Sequence, residues 1–408
     1  MIIYNKDGTH MKTIGILTHC VANNYGANLQ AYSTACYLRK RGFAVVFICW
    51  NDYISNNTPL EQVDIHRNFL IRQGFSVTAS CHTDVDFVKA IDDNNIRNII
   101  VGSDCVLTYQ SHLFPFIISR KGIQRIDTSS DYDFPNPFWL SYFKDRDDIG
   151  RFLMSASCGG AGIGYIRKNV KQSMRDLLGR YDYISVRDQF THSFVRGLLP
   201  ASTEIRVTPD PVFGFNVNVD NIPDKEAILK KFCLPEKYIV ISFYSSCWPQ
   251  QKWADRLMAA AHASGMTCVG LPMPQGGRNS DFDVNVELPL NPMEWYAIIK
   301  YSCGYVGNNM HPIIVAMHNN VPFFSYNIHG KSILRGRIQF IKTSKEYDLL
   351  HKCGLDDLVV PQPYINYIAP ERVIQKLLSF NHEKCDNAIK RMAHDYVDMM
   401  DNIIGLFK

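Results

Sequence analysis

Short, almost continuously apolar runs alternate with segments of helical spacing along most of this chain. An apolar run at residues 13–18 is followed by a helical pattern over 27–41, by Gly42 and by a second apolar run at 44–50. Strands that are apolar on both faces and separated by helices are typical of a parallel sheet covered by helices on both sides. The pattern therefore predicts an α/β fold assembled from β-α-β units.

The alternation occurs twice. Eight further apolar runs have the length of strands, four in each half of the chain: residues 98–102, 151–157, 183–186, 204–207, 237–244, 266–271, 304–306 and 321–326. We therefore predict two Rossmann-like, doubly wound domains that face each other across a cleft, at residues 11–215 and 225–380. Residues 113–148 interrupt the first series and are predicted to be an insertion or a long loop. Residues 381–408 are predicted to form a C-terminal helix.

Composition argues against several classes of protein. The 43 Lys and Arg residues are balanced by 39 Asp and Glu residues and are spread along the chain, which argues against nucleic-acid binding. No apolar run approaches the ~18 residues that cross a bilayer, and residues 1–10 lack the apolar core of a signal sequence. We therefore expect a cytoplasmic protein without a transmembrane segment. The 12 cysteines never form Cys-x-x-Cys, which favours reduced, mostly buried thiols over a metal site.

Four polar clusters follow predicted strands, at the edge where parallel sheets bind ligands. They are Asn23-Asn24-Tyr25-Gly26, Gly102-Ser103-Asp104, Arg187-Asp188 and Asn308-Asn309-Met310-His311. Gly26 permits a tight turn or the close approach of a ligand, whereas Asn23 or Asn24 also suits a capped helix without a ligand. Asp104 is suited equally to a turn or helix cap and to binding a substrate.

The other two clusters carry groups for anion binding and proton transfer. Arg187 can bind a carboxylate or phosphate bidentately, and the alternative is an ion pair with Asp188 or another acid. His311 is predicted near the N-terminus of a helix, where the dipole favours a nearby anion and a neutral imidazole. A single histidine is also often structural, so these residues leave both interpretations open.

Taken together, the clusters resemble the polysaccharide pyruvyl transferases. The resemblance extends from about residue 12 to residue 326 in the order of the family's motifs. Its residues are Asn23-Asn24-Tyr25-Gly26-Ala27, Leu29-Gln30-Ala31-Tyr32, Gly102-Ser103-Asp104, Ser185-Val186-Arg187-Asp188, Asp210-Pro211, His311 and Asn320-Val321-Pro322. The resemblance implies two Rossmann-like halves similar to those of GT-B glycosyltransferases. It also implies transfer of a pyruvyl group from phosphoenolpyruvate to two hydroxyls of a sugar, which gives a cyclic ketal.

Such a reaction needs an anion clamp and an acid/base with a pKa near neutrality, and demands neither a metal nor a cofactor. With the resemblance, this makes His311, Arg187 and Asp104 the expected catalytic residues. The acceptor would be a sugar or lipid-linked oligosaccharide in the synthesis of a cell-surface polysaccharide. The sequence leaves open whether the protein forms an oligomer. The expected substrate-binding residues are Asn23, Asn24, Tyr25, Gly26, Ser103, Ser245, Ser246, Asn308, Asn309, Lys331 and Arg335.

The chain departs from the family at the last cluster. Many members carry Arg-x-His where this chain has Asn309-Met310-His311, and Lys331 or Arg335 could replace the missing arginine. Two other functions therefore stay open. A GT-B glycosyltransferase would share the fold but would need a carboxylate in the second half for the ribose of a nucleotide sugar, and no obvious Glu follows the strand at residues 304–306. A non-catalytic sugar-binding relative would have kept the fold and lost the donor site.

Overall fold

The computed structural model describes residues 12–50, 58–109, 116–119, 122–125, 134–143, 146–159, 166–244, 247–277, 280–327, 331–333, 337–339, 344–361, 365 and 367–408. Within them, parallel sheets of seven and six strands confirm the prediction of two Rossmann-like domains.

The N-terminal sheet is parallel throughout. Its strands are β1 (Thr13–Leu17), β2 (Ala44–Phe47), β3 (Ser76–Val77), β4 (Ile96–Val101), β7 (Gly150–Ala156), β8 (Tyr183–Val186) and β9 (Arg206–Val207), while β5 (Phe116–Ser119) and β6 (Gly122–Arg125) form a separate hairpin. The strand order β3-β2-β1-β4-β7-β8-β9 reverses between β1 and β4. At such a reversal the loops that follow the two adjacent strands run to opposite faces of the sheet. The crevice between these loops is where ligands bind in sheets of this kind.

Six helices accompany this sheet in the described residues. They are α1 (Tyr25–Lys40), α2 (Leu60–Arg72), α3 (Asp84–Asp93), α4 (Lys168–Leu178), α5 (Gln189–Arg196) and α6 (Phe215–Asn218). Every residue of α1 from Tyr25 to Leu38 is buried, because the helix lies between its own sheet and the second lobe. This burial on all sides includes the polar side chains of Asn28, Gln30, Ser33 and Thr34, so this part of α1 has no solvent-facing polar stripe.

The C-terminal sheet is also parallel. Its strands are β10 (Tyr238–Ser242), β11 (Thr267–Gly270), β12 (Val284–Asn285), β13 (Gly304–Gly307), β14 (Phe323–Asn327) and β17 (Val359–Pro361), while β15 (Lys331–Ile333) and β16 (Arg337–Gln339) form a hairpin. Their order is β12-β11-β10-β13-β14-β17. The helices are α7 (Lys225–Lys231), α8 (Gln251–Ala263), α9 (Pro292–Lys300), α10 (Met310–His318), α11 (Lys345–Lys352), α12 (Pro370–Leu378) and α13 (His382–Gly405).

The last helix connects the two lobes. Near its start, the Cys385 thiol donates to the carbonyl of Met317 in the C-terminal lobe. Near its end, Asp401 accepts from the Tyr37 hydroxyl at 2.6 Å. The backbone of Lys408, just beyond α13, exchanges two hydrogen bonds with the Asn98 side chain. Within the described residues no helix, not even the 24-residue α13, has both the length and the apolar character needed to cross a membrane.

The described part of the predicted insertion at 113–148 is not an open loop. Besides the β5-β6 hairpin it holds two 3₁₀ turns, Pro137–Trp139 and Ser141–Phe143. Phe138, Trp139 and Phe143 are buried in the core of the N-terminal lobe. Aromatic side chains can fill a core from irregular backbone as well as from helices and strands. The Phe- and Pro-rich composition therefore did not distinguish an open loop from a segment packed into the core.

We expect two buried histidines to make the fold sensitive to acid. Burial lowers the pKa of His66 and that of His318 to about 3, with Lys300 adding to the effect on His318. In the unfolded chain a histidine takes up its proton near pH ~6.5. Between that pH and about 3, the unfolded state therefore binds more protons than the folded state. Unfolding becomes more favourable as the pH falls through this range. The urea midpoint should therefore fall between pH 7 and 4. His66→Gln and His318→Gln should each flatten this dependence. A slope equal to that of the wild type in both variants would contradict the assignment.

Candidate active site

A cavity of about 500 Å³ lies between the two lobes, where the carboxyl edges of both sheets meet. The N-terminal lobe contributes residues that follow its central strands: Asn24, Tyr25, Gly26, Asp104, Cys105, Ser157, Gly159, Asp188 and Phe190. The C-terminal lobe contributes Tyr244, Met273, Trp295, Asn309, Met310, His311, Pro312, Ser344, Lys345 and Glu346. All four predicted clusters therefore contribute to the lining of one cavity, and Asp188 rather than Arg187 represents the third.

The His311 imidazole lies against the backbone of Gly26. Helix α10 begins at Met310, so His311 stands in its first turn, as the sequence predicted. A Cβ atom added at Gly26 would overlap the His311 ring. Glycine at this position therefore allows the close approach of the His311 side chain from the other lobe. The His311 Nε2 atom is buried and 3.9 Å from Asp210 Oδ2, without a hydrogen bond in the described residues.

Arg187 is held between two carboxylates. Its Nη1 donates to Asp210 Oδ2 at 2.9 Å, and its Nη2 lies 3.7 Å from Asp104 Oδ1. The Gln30 side-chain amide donates to the same Asp210 oxygen. Asp188 instead caps α5 by accepting from the Thr191 amide. The ion pairs that the sequence left open thus involve Asp210 and Asp104 rather than Asp188, while Arg187 Nε and Nη2 have no hydrogen bond in the described residues.

These charges fix the protonation states. Burial alone would raise the pKa of Asp104, but Arg187, followed by His19, Lys345 and His311, holds it well below its usual range. Burial works against the Arg187 cation, yet Asp210 and Asp104 raise its pKa. For His311, burial lowers the pKa to about 4, with Asp210 and Asp104 opposing the shift. At pH 7 the site therefore holds an ionised Asp104, a charged Arg187 and a neutral His311.

The first cluster has mixed roles. Asn24 Oδ1 accepts from the amides of Gly26 and Ala27, so the capping interpretation applies to this side chain although it also lines the cavity. The Tyr25 ring stacks on Trp295 of the other lobe with ring centroids 5.1 Å apart. Asn23 Nδ2 and the Tyr25 hydroxyl are buried without a hydrogen bond in the described residues. Of these two residues, Tyr25 lines the cavity and Asn23 does not.

The remaining predicted residues also include some that are bonded within the fold and some whose polar atoms have no partner in the described residues. Asn308 is fully buried and accepts from the Tyr244 amide at 3.0 Å, which shapes the loop after β10. Asn309 is 5% exposed, donates to the Met273 sulfur, and leaves its Oδ1 without a hydrogen bond in the part of the chain that the structure describes. Ser103 is 1% exposed and its Oγ has no partner there either. Ser245, Ser246, Arg335 and the Lys331 side chain lie outside the described residues, so these predictions stay open.

Sequence reasoning missed Lys345 and Glu346, which enter the cavity from the start of α11. Ser344 caps this helix by accepting from the Tyr347 amide at 3.1 Å, and Glu346 stands in the acidic first turn. A Ser cap followed by acidic residues is a helix-start signal, so the sequence did contain evidence for α11. Glu346 is 3% exposed, and its Oε2 has no hydrogen bond in the described residues. The carboxylate can therefore accept from a ligand hydroxyl.

Metal ligands are not grouped in this part of the chain. Within the residues that the structure describes, no set of three or more His, Cys, Asp or Glu side chains is placed to hold a metal ion. The donors of the cavity are an imidazole, an ammonium and amides, and the Arg187 guanidinium lines a second cavity of about 310 Å³ that Lys345 also lines. Such a set suits an anionic ligand with hydroxyl groups nearby.

Comparison with known proteins gives a family match and a fold match. The family model described as polysaccharide pyruvyl transferase matches residues 24–330. No curated protein matches the chain significantly. In fold, the chain is similar to the S. aureus MnaA–UDP structure, with a TM-score of 0.50, 11% identity, and coverage of 97% of this chain and 95% of that chain. The two-domain architecture is thus GT-B-like.

Two further solved structures are similar over nearly the whole chain. A putative UDP-N-acetylglucosamine 2-epimerase from Listeria monocytogenes has a TM-score of 0.49 and 11% identity, over 97% of this chain and 94% of that chain. A glycosyltransferase from Rickettsia africae ESF-5 has a TM-score of 0.47 and 10% identity, over 97% and 99% of the two chains.

Proposed function

We propose that this chain, which belongs to the polysaccharide pyruvyl transferase family, transfers a pyruvyl group from phosphoenolpyruvate to two hydroxyls of a sugar. The acceptor would be a cell-surface polysaccharide or its lipid-linked precursor in the cytoplasm. The observation that carries the proposal is the placement of the neutral His311 imidazole beside the Asp210-Arg187-Asp104 group at the interlobe cavity. A proton-transfer group and an anion-binding group are the two elements that this chemistry requires.

The reaction balances without a cofactor. The CH₂ carbon of phosphoenolpyruvate gains a proton and becomes a methyl group, while C2 forms a bond to each of two sugar oxygens. The bond between C2 and the phosphate oxygen breaks. Of the two protons lost by the sugar hydroxyls, one is balanced by the new methyl hydrogen and the other by the hydrogen phosphate that leaves.

His311 is the proposed proton carrier. Since its pKa in the free protein is about 4, it begins turnover as a neutral base that can take a hydroxyl proton. This pKa lies below the near-neutral value expected from the chemistry, because the imidazole is buried. A bound anionic donor would raise the pKa again and so favour the imidazolium that protonates the donor carbon. Asp104 and Asp210 stabilise the imidazolium as well as orienting Arg187.

Binding and turnover test the proposal. Isothermal titration should detect phosphoenolpyruvate binding to the purified protein. Phosphate release with a panel of 4-nitrophenyl hexosides should be accompanied by a ketal methyl signal in the NMR spectrum of the product. A protein that does not bind phosphoenolpyruvate would overturn the proposal, whichever acceptors were tried.

Arg187→Lys should weaken phosphoenolpyruvate binding by about 10-fold, because one ammonium cannot reproduce the two parallel hydrogen bonds of the guanidinium. Binding of an acceptor should change little. The measurement is the dissociation constant of phosphoenolpyruvate by titration calorimetry. Unchanged donor affinity would leave Arg187 with the structural role of pairing Asp210 and Asp104.

A second candidate is a nucleotide-sugar enzyme, favoured by Glu346. This buried carboxylate lines the cavity from the C-terminal lobe, where a ribose diol could donate to Oε2, which has no hydrogen bond in the described residues. In a pyruvyl transferase the same oxygen could accept from hydroxyls of the acceptor sugar. Thermal-shift measurements with UDP, UDP-sugars and phosphoenolpyruvate distinguish the two. Stabilisation by UDP-sugars alone would favour the nucleotide-sugar enzyme, and stabilisation by phosphoenolpyruvate the pyruvyl transferase.

A further inference from the structure

We infer that Lys345 is the second cation of the donor site and binds, together with Arg187, the two anionic groups of phosphoenolpyruvate. The inference rests on the proposed function and deepens it by assigning a residue that the family resemblance does not contain. Its starting point is the number of charges that a donor with a phosphate and a carboxylate has to meet.

The charge of Arg187 is already matched. Asp210 lies 2.9 Å from its Nη1 and Asp104 lies 3.7 Å from its Nη2. A donor that approaches Arg187 alone would therefore meet two carboxylates around one cation. Because like charges in a partly buried site repel strongly, a further cation is required close by.

Lys345 is placed to supply that charge. It is the one Lys or Arg among the described residues that line the 500 Å³ cavity. It also lines an adjoining cavity of about 310 Å³ to which Arg187 contributes, so the two cations border a shared space. Unlike Arg187, Lys345 makes no hydrogen bond and no ion pair within 4.0 Å in the described part of the chain. Its ammonium is thus available to a ligand.

The position of Lys345 in its helix is locally unfavourable. It is the first residue of α11, where the N–H groups and the positive end of the helix dipole disfavour a cation. Residues that conflict with local preference are expected where a site needs them. The pKa of Lys345 is nevertheless raised: burial acts to lower it, and Cys105, Glu346 and Asp104 outweigh that effect. The side chain therefore stays charged at neutral pH.

A second observation at the same place also points to a ligand. Arg187 is 8% exposed, yet its Nε and Nη2 atoms have no hydrogen bond in the described residues. Asn309, 5% exposed, lines the 500 Å³ cavity and leaves its Oδ1 unpartnered within the described residues. Asn309 stands where many relatives of the resemblance carry arginine. Lys345 thus brings to this cavity, from α11, the positive charge that Asn309 lacks.

The test compares Lys345→Met, Lys345→Arg and the matched control Lys376→Met. Lys376 is a half-exposed lysine on α12 of the same lobe and pairs with Asp357 at the surface. Titration calorimetry with phosphoenolpyruvate should show binding about 10- to 100-fold weaker in Lys345→Met, the effect of one lost hydrogen bond between charged groups. Lys345→Arg, which keeps the charge, should lose less than the Met variant, and Lys376→Met should bind as the wild type does.

The outcomes separate this inference from the proposed function. Wild-type protein that does not bind phosphoenolpyruvate would overturn the function itself. Wild-type binding with equal binding by Lys345→Met would overturn the inference and leave the function standing.

A measurement on the unmodified protein covers the case in which Lys345→Met does not fold. Phosphoenolpyruvate should slow the reaction of Lys345 with acetic anhydride, followed by mass spectrometry of the peptides, without slowing that of Lys376. Equal reactivity of Lys345 with and without phosphoenolpyruvate, at a concentration that saturates binding, would contradict the assignment.

Discussion

His311→Ala is expected to lower turnover by about 100- to 10,000-fold, the usual contribution of a positioned acid/base. The imidazole is the titratable group that lies against Gly26 and faces Asp210 across 3.9 Å. Its Nε2 has no hydrogen bond in the described residues, so the fold does not depend on a bond from this atom. Phosphate release at saturating phosphoenolpyruvate measures the effect.

The matched variant His311→Gln keeps a polar side chain but cannot carry a proton near neutral pH. It should therefore lose activity to a similar extent while its melting temperature stays close to that of the wild type. Wild-type turnover in either variant would show that His311 is not the proton carrier. A lower melting temperature with retained turnover would identify a structural histidine.

Gly26→Ala is expected to lower turnover by about 100-fold, although the change adds a single methyl group. The new Cβ would overlap the His311 ring, so the ring has to move, and misplacing a catalytic group by ~1 Å costs about that much. Alanine is otherwise the better helix former, so the helix itself should not suffer. The control is Gly405→Ala near the end of α13, where an added Cβ meets nothing within 4 Å. That variant should keep full activity.

The double variant shows whether Gly26 acts through His311. Once His311 is alanine, the methyl group at Gly26 has no ring to displace. Gly26→Ala should then reduce the residual rate only slightly, because the two changes act on one group. If Gly26→Ala still lowered the rate by 100-fold in the His311→Ala background, the alanine at position 26 would disturb the site independently of His311.

The sequence predicted the fold well because its strands are buried on both faces. Residues 44–50 and 237–244 have no polar stripe, so their parallel pairing could be predicted without tertiary information. The edge strands β3, β9 and β12 have two residues each, and two of them were not predicted. Two residues are too few to show the alternation of a strand in the sequence. Such short strands form because a neighbouring strand is there to pair with them.

The positions of the candidate site residues were predicted in part. Gly26, Asp104, Arg187 and His311 were selected because each follows a strand, and the topology brings them to one cleft. Their mutual contacts could not be predicted, since Gly26 meets His311 across nearly 300 residues of sequence. Asp210 was noted as a motif residue without a role, because its part as the partner of Arg187 appears only once the chain is folded.

Helix α13 has a mechanical consequence for substrate entry. Its start is bonded to the C-terminal lobe at Met317, and its end to the N-terminal lobe through Asp401 and Lys408. A hinge motion that separated the lobes would have to bend this helix or break those bonds, and would also pull apart the Tyr25-Trp295 stack. Helix α13 therefore opposes separation of the two lobes. Because parting the lobes would break these contacts, we expect a polymeric acceptor to present its terminal or projecting sugar to the existing cavity.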